Sequence, residues 1–194
     1  MSSPEKIIKS IFVANHGYLR SKELGRNSSL YNQLRKLVDS GEVIKLKAGL
    51  YKNESMACDS EYQELTRIYP EGVICLQSAW SFYELSTQIP TFHTLAFPNK
   101  AKITIQDYPP IQAHYWSQTF YELEVVNVDG TRIYSLEKSV CDAVKFRNKI
   151  GIHEMKEILT NYLKREDKDF NKLFVIAKKM NLENSLRNYL NLIK

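Results

Sequence analysis

Between Pro4 and Lys52 the spacing of apolar residues changes from helical to alternating, and this change restricts the start of the chain to helices followed by a β-hairpin. Ile7, Ile8, Ile11 and Phe12 recur at helical spacing and Asn15-His16-Gly17 supplies a stop, so a first helix begins at Pro4. Ser21 is placed to cap a short second helix, residues 21–24, which Gly25-Arg26-Asn27 breaks. Ser28 or Ser29 opens a third, in which Leu30, Leu34, Leu37 and Val38 make one apolar stripe and Ser40-Gly41 supplies the close. Residues 42–47 then alternate apolar with charged, Ala48-Gly49 turns, and Leu50-Tyr51-Lys52 returns. Three helices and a small hairpin predict a winged helix-turn-helix, in which the third helix enters the DNA major groove and the hairpin lies against the flanking backbone.

Charge points the same way. The first 55 residues hold ten Lys/Arg against five Asp/Glu, which accounts for the whole net charge of +5, while the remainder carries 17 of each sign. A cationic module joined to a neutral one suits a small domain that meets a polyanion and a larger one with another task. The expected DNA-binding residues are Arg20, Lys22, Arg26, Ser28, Ser29, Tyr31, Asn32, Arg35 and Lys36, with Lys45, Lys47 and Lys52 on the wing. Arg and Asn read base edges bidentately, whereas Ser hydroxyls and Lys ammoniums hold phosphates. Tyr31 has two readings, contact with DNA or packing under the wing. Winged helices also dock proteins; cations on every DNA-facing piece at once favour DNA.

The remaining composition excludes several classes. Among 194 residues there is no repeat or low-complexity tract, and three widely spaced cysteines (Cys58, Cys75, Cys141) form no CxxC pair. Neither a disulfide framework nor a zinc site is indicated, and a reduced, cytoplasmic setting is expected. No run approaches the roughly 20 apolar residues of a membrane span.

The polar stretch 53–59 marks the expected boundary, giving domains 1–55 and 56–194, with Asp59 capping a helix that runs to Tyr69. Strands are expected at 72–76, 91–97, 111–115, 121–128 and 131–134, with a helix at 77–85 and an Asp129-Gly130 hairpin turn. Four helices near 136–148, 153–163, 169–180 and 182–193 complete an α+β domain with a central sheet and C-terminal helices. His93, His114 and His153 are scattered singly, and there is no phosphate loop, no GxSxG elbow and no metal-ligand cluster. Asp107, Glu122 and Glu124 lack the Lys of a nuclease Glu-x-Lys strand. No catalytic residue, cofactor or metal is therefore assigned, and the chain is expected not to be an enzyme. Glu137, Lys138, Asp142, Lys145 and Arg147 form the densest polar cluster on one helix. Lys138 and Asp142, four apart, are expected to make a surface ion pair worth about 0.3–0.5 kcal/mol on a solvated face. The functional reading of Lys138, Asp142, Lys145 and Arg147 is a docking surface for a protein or RNA.

Several of these stretches resemble the AbiEi family, the antitoxins of type IV (abortive infection) toxin-antitoxin systems: 20–24 (RSKEL) and 49–51 (GLY) in the basic module, then 74–79 (ICLQSA), 87–90 (TQIP), 98–101 (PNKA), 133–142 (IYSLEKSVCD) and 146–151 (FRNKIG). The resemblance spans nearly the whole chain. It implies an N-terminal winged helix that represses its own operon by binding promoter inverted repeats, and a C-terminal domain with the antitoxin activity. It further implies opposition to a nucleotidyltransferase-like toxin without a required stable complex. One departure stands out: family wings often carry Arg before the Gly of Gly-x-Tyr, where this chain has Ala48, with Lys47 one place earlier. With no heptad helix to hold a permanent dimer, a monomer or weak dimer that occupies DNA cooperatively is expected. The alternative is a winged-helix transcription factor whose C-terminal domain senses a ligand or a protein partner.

Overall fold

The Ser3 hydroxyl accepts from the Lys6 amide at 3.4 Å and so opens the first helix, α1 (Pro4–Ala14), of a computed structural model that describes residues 3–193. Gly17 ends it at φ +88°, with its amide 2.7 Å from the Phe12 carbonyl. A Cβ at Gly17 would lie 2.4 Å from the Ala57 amide nitrogen, so both backbone sign and space require glycine.

The chain continues as strand β1 (Tyr18–Arg20), a 3-10 turn (Ser21–Leu24), helix α2 (Ser28–Asp39) and the hairpin of β2 (Val43–Lys47) and β3 (Leu50–Asn53). The expected second helix is this single 3-10 turn, and α2 is the expected third helix. Strand β1 was not expected, because three residues are too few to display alternation. It pairs antiparallel with β3, giving a sheet of order β1-β3-β2. One face carries Leu19 and Val43, which join Ile8, Phe12, Leu24, Leu30 and Leu34 in a buried core with Tyr51 packed against it.

Helix α3 (Glu61–Ile68) stands on the other face of this sheet. Its cap is Ser60, paired reciprocally with Gln63, rather than the expected Asp59, whose carboxylate instead binds the Arg67 guanidinium. Arg67 also lies over the Tyr18 ring at 4.4 Å, and the Tyr18 hydroxyl donates to Glu64 at 2.9 Å. Because α3 covers this sheet, the chain divides between Tyr69 and Pro70 rather than at the expected 55/56.

The second unit contains β4 (Val73–Ile74), α4 (Leu76–Phe82), β5 (His93–Pro98), β6 (Ile111–Trp116), α5 (Gln118–Tyr121), β7 (Val125–Val128) and β8 (Thr131–Tyr134). Helices α6 (Leu136–Ile150), α7 (Ile152–Lys164), α8 (Phe170–Lys179) and α9 (Glu183–Ile193) follow. The strands form a mixed sheet of order β6-β5-β4-β8-β7, with β4 antiparallel to β5 and parallel to β8. Asp129 and Gly130 both have positive φ, as a two-residue hairpin turn between β7 and β8 demands. The strand expected over 121–128 is shorter, since α5 occupies its start. The architecture is α+β.

Helix α6 overturns one expectation. It buries an unbroken run, Leu136 through Val144, instead of a stripe. Lys138 and Asp142 are fully buried, with Nζ 2.7 and 2.8 Å from the two carboxylate oxygens, and they belong to no surface. The ammonium also lies over the rings of Phe120 (4.0 Å), Tyr134 (4.3 Å) and Trp116 (4.9 Å). Burial raises the Asp142 carboxyl above its ordinary value, and Lys138 opposes that rise. The spacing of four residues does make Lys138 and Asp142 a pair; the rings that enclose it come from three other elements, β6, α5 and β8. Of the expected docking residues only Lys145 is exposed, since Arg147 is half-buried and donates to the Val144 carbonyl at 2.8 Å.

Breaking this pair should cost far more than a surface bridge. Lys138→Met strands a buried carboxylate and should destabilise the second unit by about 3–5 kcal/mol, whereas Lys138→Met/Asp142→Leu should recover most of that loss. Chemical denaturation followed by tryptophan fluorescence reads it, because both tryptophans, Trp80 and Trp116, lie in this unit.

Candidate nucleic-acid interface

Asn27 sets the start of α2. Its side-chain oxygen accepts from the amides of Ser29 (3.1 Å) and Leu30 (3.4 Å), so the cap is neither of the serines expected to supply it. The Ser28 and Ser29 hydroxyls are thereby left on the exposed side of the first turn. Since Leu30 and Leu34 face the core, helical spacing sends Ser28, Asn32, Arg35 and Lys36 outward together, and all four are exposed. Arg35 and Lys36 lie in the second half of the helix, and Asp39 follows at its C-terminal end.

Lys22 and Arg26, before α2, are exposed, as is Lys45 on β2. The Tyr31 hydroxyl donates to the Ser21 carbonyl at 3.0 Å, pinning the 3-10 turn to α2 while the ring stays 40% exposed. A shallow depression lined by Pro4, Ser28, Ser29, Asn32, Gln33 and Lys36 adds Gln33, which sequence reasoning missed. Its place on the wheel, at the flank between stripe and polar face, is the one signal that pointed to it.

Arg20, Lys47 and Lys52 are placed differently. The register sets Tyr18 opposite Lys52 and Arg20 opposite Leu50, which also faces Lys47, so these side chains share the sheet face under α3. The last carbonyls of a helix lack intrahelical donors and carry partial negative charge. Arg20 donates to the Arg67 carbonyl at 3.4 Å and the Lys47 ammonium to that of Ile68, so two cations close the C-terminal end of α3. Lys52 pairs with Glu64 at 2.5 Å. Burial, then the neighbouring Arg20, lowers the Lys47 pKa. The register shifts between Lys45 and Lys47, so Lys45 lies opposite Tyr51 while Lys47 lies opposite Leu50.

No family model matches the chain, and a search of curated proteins returns no match. Similarity of fold is found among solved structures. The RV2827C protein from Mycobacterium tuberculosis aligns over 92% of this chain and 72% of its own, with a TM-score of 0.59 and 10% sequence identity. At that identity the likeness concerns the path of the chain alone. Among the described residues no helix is long and apolar enough to cross a membrane, and no three His, Cys, Asp or Glu side chains gather as metal ligands would.

The two lysines of strand β2 should separate in a stability measurement. Lys47→Ala leaves the carbonyl of fully buried Ile68 without its donor and should cost about 1–3 kcal/mol. Lys45→Ala, at an exposed position, should stay within about 0.5 kcal/mol of the parent protein in the same thermal melt.

Proposed function

We propose that the first unit is a winged helix-turn-helix that binds double-stranded DNA, and that the chain is the antitoxin and autoregulatory repressor of an AbiE-like type IV operon. The observation that carries the DNA reading is the exposed face made by Ser28, Ser29, Asn32, Arg35 and Lys36 on α2, with Lys22, Arg26 and Lys45 around it. Among the described residues, Lys22, Arg26, Arg35, Lys36 and Lys45 make no ion pair. A rigid α2, capped by Asn27 and braced through Tyr31, would offer its exposed face to base edges, and β2 would offer Lys45 to the phosphates. Arg20, Lys47 and Lys52 would act indirectly, by holding α3 on the sheet.

The antitoxin part rests on the family resemblance of the motifs at 74–79 and 133–151, which lie in the second unit. The partner in this reading is a nucleotidyltransferase-like toxin, opposed without a required stable complex. Promoter inverted repeats would be occupied cooperatively by monomers or a weak dimer in the cytoplasm.

Titrations on the chain's own promoter and on a scrambled duplex test the reader. Arg35→Ala should lose about 1–3 kcal/mol on the promoter and relax preference at one base position. Lys45→Ala should weaken both duplexes alike and reduce the slope of log affinity against log salt by about 1. Equal losses by both variants on both duplexes would remove α2 as the reading helix.

The division of labour has its own test. A fragment starting at Pro70 keeps the five-stranded sheet and its helices, and it should fold, rescue cells from the toxin and leave the promoter unrepressed. A folded fragment that fails to rescue would remove the antitoxin role from the second unit.

A further inference from the structure

The second unit holds a polar pocket of about 230 Å³ beside the first turn of α7, lined by Glu154, Gln77, Gln112, Ser86, Gln88 and the segment 89–92. That volume lies under the roughly 300–1,000 Å³ of drug-sized sites and suits a ligand of one ring or a short chain. Glu154 supplies the one charged side chain in its wall. The residue is only 6% exposed, and its Oε1 is buried with no hydrogen-bond partner among the described residues. A buried carboxylate oxygen without a partner is costly. Other buried polar groups of this unit are met: Thr94 binds Ser78 and Cys75, and the Trp80 indole donates to the Ser139 carbonyl. His114 Nε2 and the Tyr162 hydroxyl are likewise buried without a hydrogen bond among the described residues, but both are neutral groups outside the pocket wall, whereas Glu154 is an acid within it.

The loop that supplies Ser86 and residues 88–92 to the wall is tied to the helix that carries Glu154. The Thr87 amide donates to Glu157 at 2.8 Å, and Asn161 donates to the Leu85 carbonyl at 3.0 Å. The segment between these anchors and β5 exposes two large apolar side chains, Ile89 at 91% and Phe92 at 53%. Gln77, Gln88 and Gln112 add amide groups. The pocket therefore combines one uncompensated negative charge, neutral hydrogen-bonding groups and an apolar edge on an anchored frame.

We propose that this pocket binds a small organic cation, with its ammonium or guanidinium group paired to Glu154 and its apolar body against Pro90 and Phe92. Burial, with a smaller contribution from the Glu157 carboxylate one turn on, already raises the Glu154 carboxyl above its ordinary value. A bound cation supplies the partner that the ionised carboxylate lacks. An anion would meet Glu154 head-on, and a neutral molecule would leave the charge uncompensated. The inference is independent of the DNA reading and gives the second unit a ligand.

The test uses the full chain at low ionic strength and near-neutral pH, titrated with benzylammonium and with its uncharged analogue benzyl alcohol while backbone amide shifts are followed by NMR. Saturable shifts should centre on Ser86, Gln88, Thr91 and Gln112, with benzylammonium bound at least about tenfold more tightly than the alcohol, a difference of about 1.4 kcal/mol. Glu154→Gln should abolish that preference and, by removing an unpaired carboxylate, melt no lower than the parent. Phe92→Ala, at an exposed position, should weaken both probes and keep their ratio. The proposal is overturned by the absence of saturable shifts at the lining residues, by equal affinity for the two probes, by a preference that survives Glu154→Gln, or by unchanged affinities in Phe92→Ala.

Discussion

The ammonium of Lys138 is enclosed by protein, and the second unit is organised around what replaces its water. Asp142, one turn further along α6, offers both carboxylate oxygens, and the faces of Phe120, Tyr134 and Trp116 supply the rest. Those rings come from α5, β8 and β6, so solvating one charge fixes a short helix and two strands relative to α6. Trp116 stacks with Tyr134 and Phe146, and the Tyr134 hydroxyl donates to the Tyr121 carbonyl at 2.7 Å. An apolar pair of similar volume would pack as well, but it would not select aromatic faces on three separate elements.

The smaller unit uses charge in another way. Its sheet is covered on both faces, by α1 and α2 on one and by α3 on the other, and the second face is closed largely by polar groups. Arg20 and Lys47 satisfy the carbonyls at the end of α3, Lys52 meets Glu64, and Arg67 bridges Asp59 and the Tyr18 ring. The basic residues of this unit thus fall into two populations. One is consumed in holding the fold, and the other, on α2, before it and at Lys45, faces solvent with no ion pair among the described residues.

Buried polar groups in the second unit show where fold requirements end. Ser78, Thr94, Lys138 and Asp142 each find partners within the unit, which is the ordinary condition for polar atoms removed from water. Glu154 departs from it while lying at the wall of a cavity, and the surrounding loop is tied down by its neighbours Glu157 and Asn161. Stability alone gives no reason for an acid there.

Local order determined what the sequence displays. The helical stripes of α1, α2 and α7 through α9, the β2–β3 alternation and the Asp129-Gly130 turn rest on contacts between residues a few positions apart, so their periods are written in the chain. The outward set Ser28, Asn32, Arg35 and Lys36 was legible for that reason: one helix and one buried stripe define it. Tertiary contacts decided the rest. Strand β1 exists because β3 pairs with it, and α3 joins the first unit because Glu64 and its last carbonyls meet cations from 12 to 47 positions earlier in the chain. Lys138 and Asp142 read as a surface pair because helical spacing reports which residues are neighbours on a helix and carries no information on whether another layer lies above them. Only the packing of β6, α5 and β8 over α6 turned that pair into the unit's interior.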